Sequence, residues 1–136
     1  MKSPSRLRPA DRTGVAAVEF AVCLPVLVLV VMGSIEACTM VFLKESLTVA
    51  AYEGSRVALQ PAATQADVVA RCQEVLTERN VQGGTVQVNP ADIVATPPGD
   101  SIQVQVSAPC ESNAVIPVWF YGGTTMSGSS TVMKET

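Results

Sequence analysis

The sequence predicts an α+β protein with one long N-terminal helix, a second helix and a small antiparallel β-sheet. Three observations predict this class. An apolar run extends from Val15 to Ile35 behind a short basic segment. Beyond this run, apolar residues recur at steps of three and four, the spacing of one helix face. From Val86 onward, apolar and polar residues alternate, which is the period of a β-strand.

The first 14 residues predict an unstructured basic leader that lies in the cytoplasm. They carry four basic residues and one acidic residue, whereas the remainder carries five basic and eleven acidic residues. A basic front before an apolar span predicts a cytoplasmic N-terminus and an exported remainder. The exported part is acidic and has no basic patch to neutralise phosphates, which argues against nucleic acid as a partner.

The run Val15–Ile35 predicts a transmembrane helix. Its 21 residues form a helix about 31 Å long, enough to cross the hydrocarbon core of a bilayer. An amphipathic pattern then continues the helix to about Leu59, before Pro61. Residues 36–136 are therefore assigned to a periplasmic or extracellular α+β domain. The apolar positions of the continuation are Leu43, Leu47, Ala50, Gly54 and Val57.

A second helix follows a short break. Thr64 and Asp67 have the spacing of a capping box, which predicts a helix that starts here and runs to about Arg79. Gly83 and Gly84 end this helix.

The remaining chain predicts an antiparallel sheet. A turn is predicted at residues 97–100, because a Pro-Pro-Gly-Asp sequence favours reversal of the chain. One face of the strands is polar, so we expect the long helix to cover the other face. The predicted strands lie around Val86–Val88, Ile102–Val106 and Thr125–Lys134.

Cys72 and Cys110 fall in the predicted exported part, where disulfides persist. Cys72 lies on the apolar stripe of the second helix. A bridge between the two would close a loop of 38 residues and contribute on the order of 4 kcal/mol. The alternative is a pair of buried free thiols. Cys23 and Cys38, in or beside the span, are interpreted as small apolar side chains.

The segment Val115–Tyr121 holds the only Trp of the chain and two further aromatic residues. It is either a patch that binds a partner or a cap on the core. The second interpretation is preferred, because aromatic side chains dominate core burial in small domains.

The sequence does not predict an enzyme. It contains no histidine for a Ser-His or Cys-His pair, and it has no phosphate-binding glycine motif. Glu74 and Glu78 have the spacing of a solvated helix face. We therefore expect no cofactor, no metal site and no small-molecule substrate.

Glu19 is a carboxylate inside the apolar run, at the fifth position after Gly14. A charged residue in lipid costs roughly 2.5–3.5 kcal/mol on insertion scales, so its presence needs an explanation. One explanation is a role in helix assembly. The other is that Glu19 lies close enough to the cytoplasmic interface to reach water.

The segment from Gly14 to Ala21, with Pro25 and a span rich in Val and Leu, resembles the front of a class III prepilin signal. It is most similar to the TadE-like minor pilins of the tight-adherence (Tad or Flp) pilus system. Major pilins of that system usually carry Glu-Tyr where Glu19 and Phe20 stand here, and they are far shorter after the span. Both differences favour a minor pilin or pseudopilin.

The resemblance implies a pilin-like fold and a role in pilus assembly, adhesion and biofilm formation. It implies cleavage between Gly14 and Val15 by a prepilin peptidase, with Glu19 and Phe20 serving assembly. The implied partners are the peptidase, other pilins and the inner-membrane assembly platform. The implied location is the bacterial inner membrane, with a single span and possible incorporation into a surface pilus. The alternative is an uncleaved single-pass anchor that displays a periplasmic interaction domain.

Overall fold

A computed structural model describes residues 12–135 of the chain. It contains two helices, three strands and one short 3₁₀ helix, and the predicted α+β class is confirmed. Most of the predicted leader, residues 1–11, lies outside the described residues. The elements in order are α1 (Arg12–Ala58), α2 (Gln65–Glu78), β1 (Thr85–Asn89), β2 (Ser101–Pro109), the 3₁₀ helix (Glu111–Asn113) and β3 (Thr125–Met133).

The chain divides into two units, with the boundary between Ser34 and Ile35. The described part of the first unit is the front of α1. Its helix begins at Arg12, so the last residues assigned to the leader are helical rather than unstructured. The second unit holds the rest of α1 and all later elements. The end of α1 at Ala58 is one residue from the predicted end.

The three strands form one antiparallel sheet in the order β1-β2-β3. Val104 in the central strand pairs with Val88 on one side and with Ser130 on the other. Alternate side chains of β2 are buried, as the period of two predicts. These buried side chains are Ile102, Val104, Val106 and Ala108.

The second half of α1 packs against this sheet. The two approach closely at Gly128 of β3, where a Cβ atom would lie 2.5 Å from the backbone nitrogen of Thr48. Only glycine permits this approach of strand and helix. The core therefore lies between α1, α2 and the sheet, and it includes Met40, Leu47, Val68, Leu76 and the buried side chains of β2.

The predicted capping box of α2 is present. The backbone N–H of Asp67 donates to the hydroxyl of Thr64 over 3.4 Å. The hydroxyl and the backbone N–H of Thr64 donate to the Asp67 carboxylate over 2.7 and 2.9 Å. These bonds favour the charged form and lower the pKa of Asp67 below its usual 3.8. The cap fixes the point at which α2 begins.

Lys134 ties the loop between β1 and β2 to the end of β3. Its Nζ donates to the carbonyl oxygens of Ile93, Val94 and Thr96 over 2.8, 3.2 and 2.8 Å. An ammonium group offers three donors, and here all three have an acceptor. The loop is therefore held by a charged side chain as well as by its own turns.

Candidate functional site

The residues predicted for cleavage and assembly all lie in the first turns of α1. Gly14, Val15, Glu19 and Phe20 are exposed. Val15 and Glu19 are one helical turn apart and so lie on the same face. The helix therefore places the side chains of Val15 and Glu19 on the same side.

The peptide bond between Gly14 and Val15 lies within the helix, because α1 begins at Arg12. A Cβ atom on Gly14 would meet no other atom within 4 Å. The fold itself therefore does not require glycine at this position.

The front of α1 presents apolar side chains around its whole circumference. The exposed fraction is 57% for Val15, 71% for Val22 and 61% for Val30. Such a surface is unfavourable in water and suits hydrocarbon. Among the described residues, α1 is the one helix long and apolar enough to cross a membrane.

Glu36, the first residue after the predicted span, is a buried carboxylate that the sequence analysis missed. Only 3% of its surface is exposed. Its Oε1 atom accepts the backbone N–H groups of Trp119, Phe120 and Tyr121 over 3.1, 2.9 and 3.0 Å. Successive N–H groups that converge on one oxygen form an anion-binding nest. We call Glu36 with these three donors the Glu36 clamp.

The Glu36 clamp holds an aromatic loop, residues 115–121, whose larger side chains are exposed. The exposed fraction is 79% for Val115, 71% for Trp119 and 74% for Phe120. The preferred interpretation of this segment as a core cap is therefore wrong for these three residues. It is correct for Tyr121, which is partly buried against the core. The sequence shows that Glu36 is an acidic residue next to the span. It does not show the partners of Glu36, because these are backbone N–H groups that no sequence pattern marks.

Cys72 and Cys110 are buried free thiols in the structure, which departs from the predicted disulfide. The Sγ of Cys72 and a methyl group of Val104 both lie within 3.4 Å of the point that a Cβ on Gly54 would occupy. Cys110 follows six residues after Val104, and in a strand that separation is about 20 Å. A disulfide requires the two Cα atoms to lie within about 7 Å. The two cysteines therefore belong to different parts of the core.

Each thiol has its own hydrogen-bond partner. Cys72 donates to the carbonyl oxygen of Ala50 over 3.3 Å, and Cys110 accepts from the hydroxyl of Thr124 over 3.3 Å. Burial raises the pKa of Cys72 from 9.0 to about 11. The pKa of Cys72 is therefore higher in the folded protein than in the unfolded chain. The stability that the neutral thiol contributes is present below pH 9 and is lost as the pH rises towards 11.

We expect the two buried thiols to react with iodoacetamide only after the protein is unfolded. No reductant should be needed for this reaction. In a Cys23→Ala, Cys38→Ala variant, iodoacetamide at pH 8 should leave the folded protein unlabelled. Urea alone should then allow two labels per chain, because burial and a neutral thiol both suppress reaction. Mass spectrometry counts the labels. If labelling requires dithiothreitol as well as urea, the two cysteines are bridged and the predicted disulfide is correct.

The described chain combines a helix long and apolar enough to cross a membrane with a small α+β unit. The family model described as TadE-like protein matches residues 14–56. This stretch is similar to TadE-like proteins, and the resemblance inferred from Gly14 and Glu19 is confirmed over these residues. The match associates the chain with the Tad pilus. No curated protein and no solved structure matches the chain.

Proposed function

We propose that this protein is a minor pilin or pseudopilin of a Tad/Flp-type pilus. In this proposal a prepilin peptidase cleaves between Gly14 and Val15 at the cytoplasmic face of the inner membrane. The mature chain then enters or primes the pilus and serves its assembly, adhesion and biofilm formation. The observation that carries the proposal is the TadE-like match, which begins at Gly14 and includes Glu19.

Cleavage would change the charge at the front of the helix. It removes a basic leader and creates an α-amino group on Val15, which has a pKa of about 7.7–8.0 in model compounds. This ammonium group can pair with Glu19 of the same chain or of a neighbouring subunit. In a medium of low dielectric constant such a pair is strong, and either charge alone is costly.

The pair supplies a mechanism for assembly. An apolar helix surface slides easily along another, because it contains nothing that distinguishes one axial position from the next. A buried polar group fixes register between packed helices, as it does in coiled coils. Glu19 would set the axial position of each subunit in this way, with Phe20 packing beside it. The prepilin peptidase, other pilins and the inner-membrane assembly platform are the partners of this scheme.

The N-terminus of the protein from native membranes tests the proposal directly. Mass spectrometry of the native chain should find a mature protein that begins at Val15. A chain that retains Met1 would instead support an uncleaved single-pass anchor with a periplasmic interaction domain. The two outcomes differ by the mass of the leader, so one measurement separates them.

We expect Gly14→Leu to prevent cleavage without disturbing the helix. A leucine at this position has open space and favours a helix by nearly 1 kcal/mol over glycine. Its side chain, however, would obstruct the close approach of an extended backbone to a protease site. An immunoblot should show the unprocessed form alone. The control is Ala21→Leu, the same side chain on another exposed residue of the span, which should be processed normally.

A further inference from the structure

We propose that the aromatic loop, residues 115–121, is a membrane-interface element that inserts Trp119 and Phe120 among the lipid headgroups on the exported side. The inference rests on the proposed transmembrane placement of Val15–Ile35. It does not require leader cleavage or pilus assembly.

The aromatic loop is bound to the residue that directly follows the predicted span. A helix from Val15 to Ile35 is about 31 Å long, which equals the thickness of the hydrocarbon core. Glu36 therefore lies where the hydrocarbon core ends. The nitrogens of Trp119, Phe120 and Tyr121 lie within 3.1 Å of its Oε1 atom. The aromatic loop is thus held at the depth of the membrane interface.

The side chains of the loop suit a membrane interface. Trp119 and Phe120 are 71% and 74% exposed, so the protein itself does not bury these rings. Trp is enriched at the membrane interface, where its ring can contact both apolar and polar groups. Residues 109–125 contain one charged residue, Glu111, and no Lys or Arg. The surface therefore suits an apolar interface rather than anionic headgroups.

Several backbone donors of the loop are hydrogen-bonded within the protein. This favours entry into a region poor in water, because unpaired polar groups oppose it. Glu36 accepts the N–H groups of residues 119–121. Glu111 accepts the N–H of Gly123, and the carbonyl oxygen of Tyr121 accepts the N–H of Thr124. The backbone donors of residues 119–121, 123 and 124 are thus already paired within the protein.

Trp119 is the only Trp of the chain, so its fluorescence reports on this loop alone. The experiment uses the full chain in phosphatidylcholine vesicles that contain lipids brominated at a shallow or a deep acyl position. Carbonate-resistant flotation first establishes that the span is inserted. We expect blue-shifted emission, strong quenching by the shallow bromines and weaker quenching by the deep ones. Addition of phosphatidylglycerol should leave the quenching unchanged.

The control moves the fluorophore along α1. In a Trp119→Phe, Tyr52→Trp variant the probe stands on an exposed position of the helix, about 24 Å beyond Glu36. It should emit as in water and resist quenching. If Trp119 of an inserted chain behaves in the same way, the inference is wrong while the transmembrane placement stands. A blue shift without quenching would indicate a protein partner and would also overturn it. Failure of the chain to insert would refute both the inference and the placement.

Discussion

Glu36→Ala should release the aromatic loop and lower the free energy of unfolding by about 2–4 kcal/mol. Each of the three part-buried backbone donors loses its carboxylate acceptor, and a donor left unpaired away from water costs about 1–3 kcal/mol. The loop can turn partly towards water, so the total falls below three full penalties. Urea unfolding of the full chain in detergent measures the loss. Hydrogen exchange should show faster exchange at the amides of residues 119–121.

Two variants make this result specific. Glu36→Gln keeps an oxygen acceptor without the charge and should give an intermediate loss. Glu45→Ala removes an exposed glutamate from the same helix and should leave the stability unchanged. Chymotrypsin cleaves after aromatic residues, so it should cut the loop fastest in Glu36→Ala. Equal stability and equal cleavage in all three variants would show that the Glu36 clamp does not form.

Glu19→Ala should reduce incorporation into pili by at least about tenfold, while membrane insertion continues. The new α-amino group of Val15 would have no partner in the apolar contact between helices. An unpaired charge of this kind costs roughly 2.5–3.5 kcal/mol on insertion scales, and 1.4 kcal/mol already corresponds to a factor of ten. Immunoblots of sheared pili and of membranes measure the two quantities separately.

The controls separate the charge from the shape of the helix. Glu19→Asp keeps the carboxylate and should retain part of the incorporation. Val22→Ala alters an exposed apolar residue one turn away and should have little effect. Normal amounts of Glu19→Ala in the sheared fraction would falsify the proposed register mechanism.

Sequence periodicity predicted the elements well where one face of an element is buried. The alternation along β2 and the stripe of α2 each follow from a single period, and both appear in the structure. The end of α1 was predicted within one residue, because proline at position 61 marks it. Local patterns of this kind depend on neighbours in the sequence, which the sequence itself supplies.

Contacts between distant residues were not predictable in the same way. The predicted pairing of Cys72 with Cys110 rests on their shared compartment, whereas the distance between them depends on where each lies in the core. Glu36 was missed because its partners are N–H groups more than 80 residues away. Every residue except proline carries such a group, so no residue type marks the partner.

Because Glu36 binds backbone groups, most substitutions in the aromatic loop leave its attachment intact. Glu36 contacts the main chain at positions 119–121 and not the side chains. Nineteen amino acids can supply that donor, and proline alone cannot. Related proteins can therefore carry very different side chains at these three positions and still hold the loop in place, provided that none of them is proline.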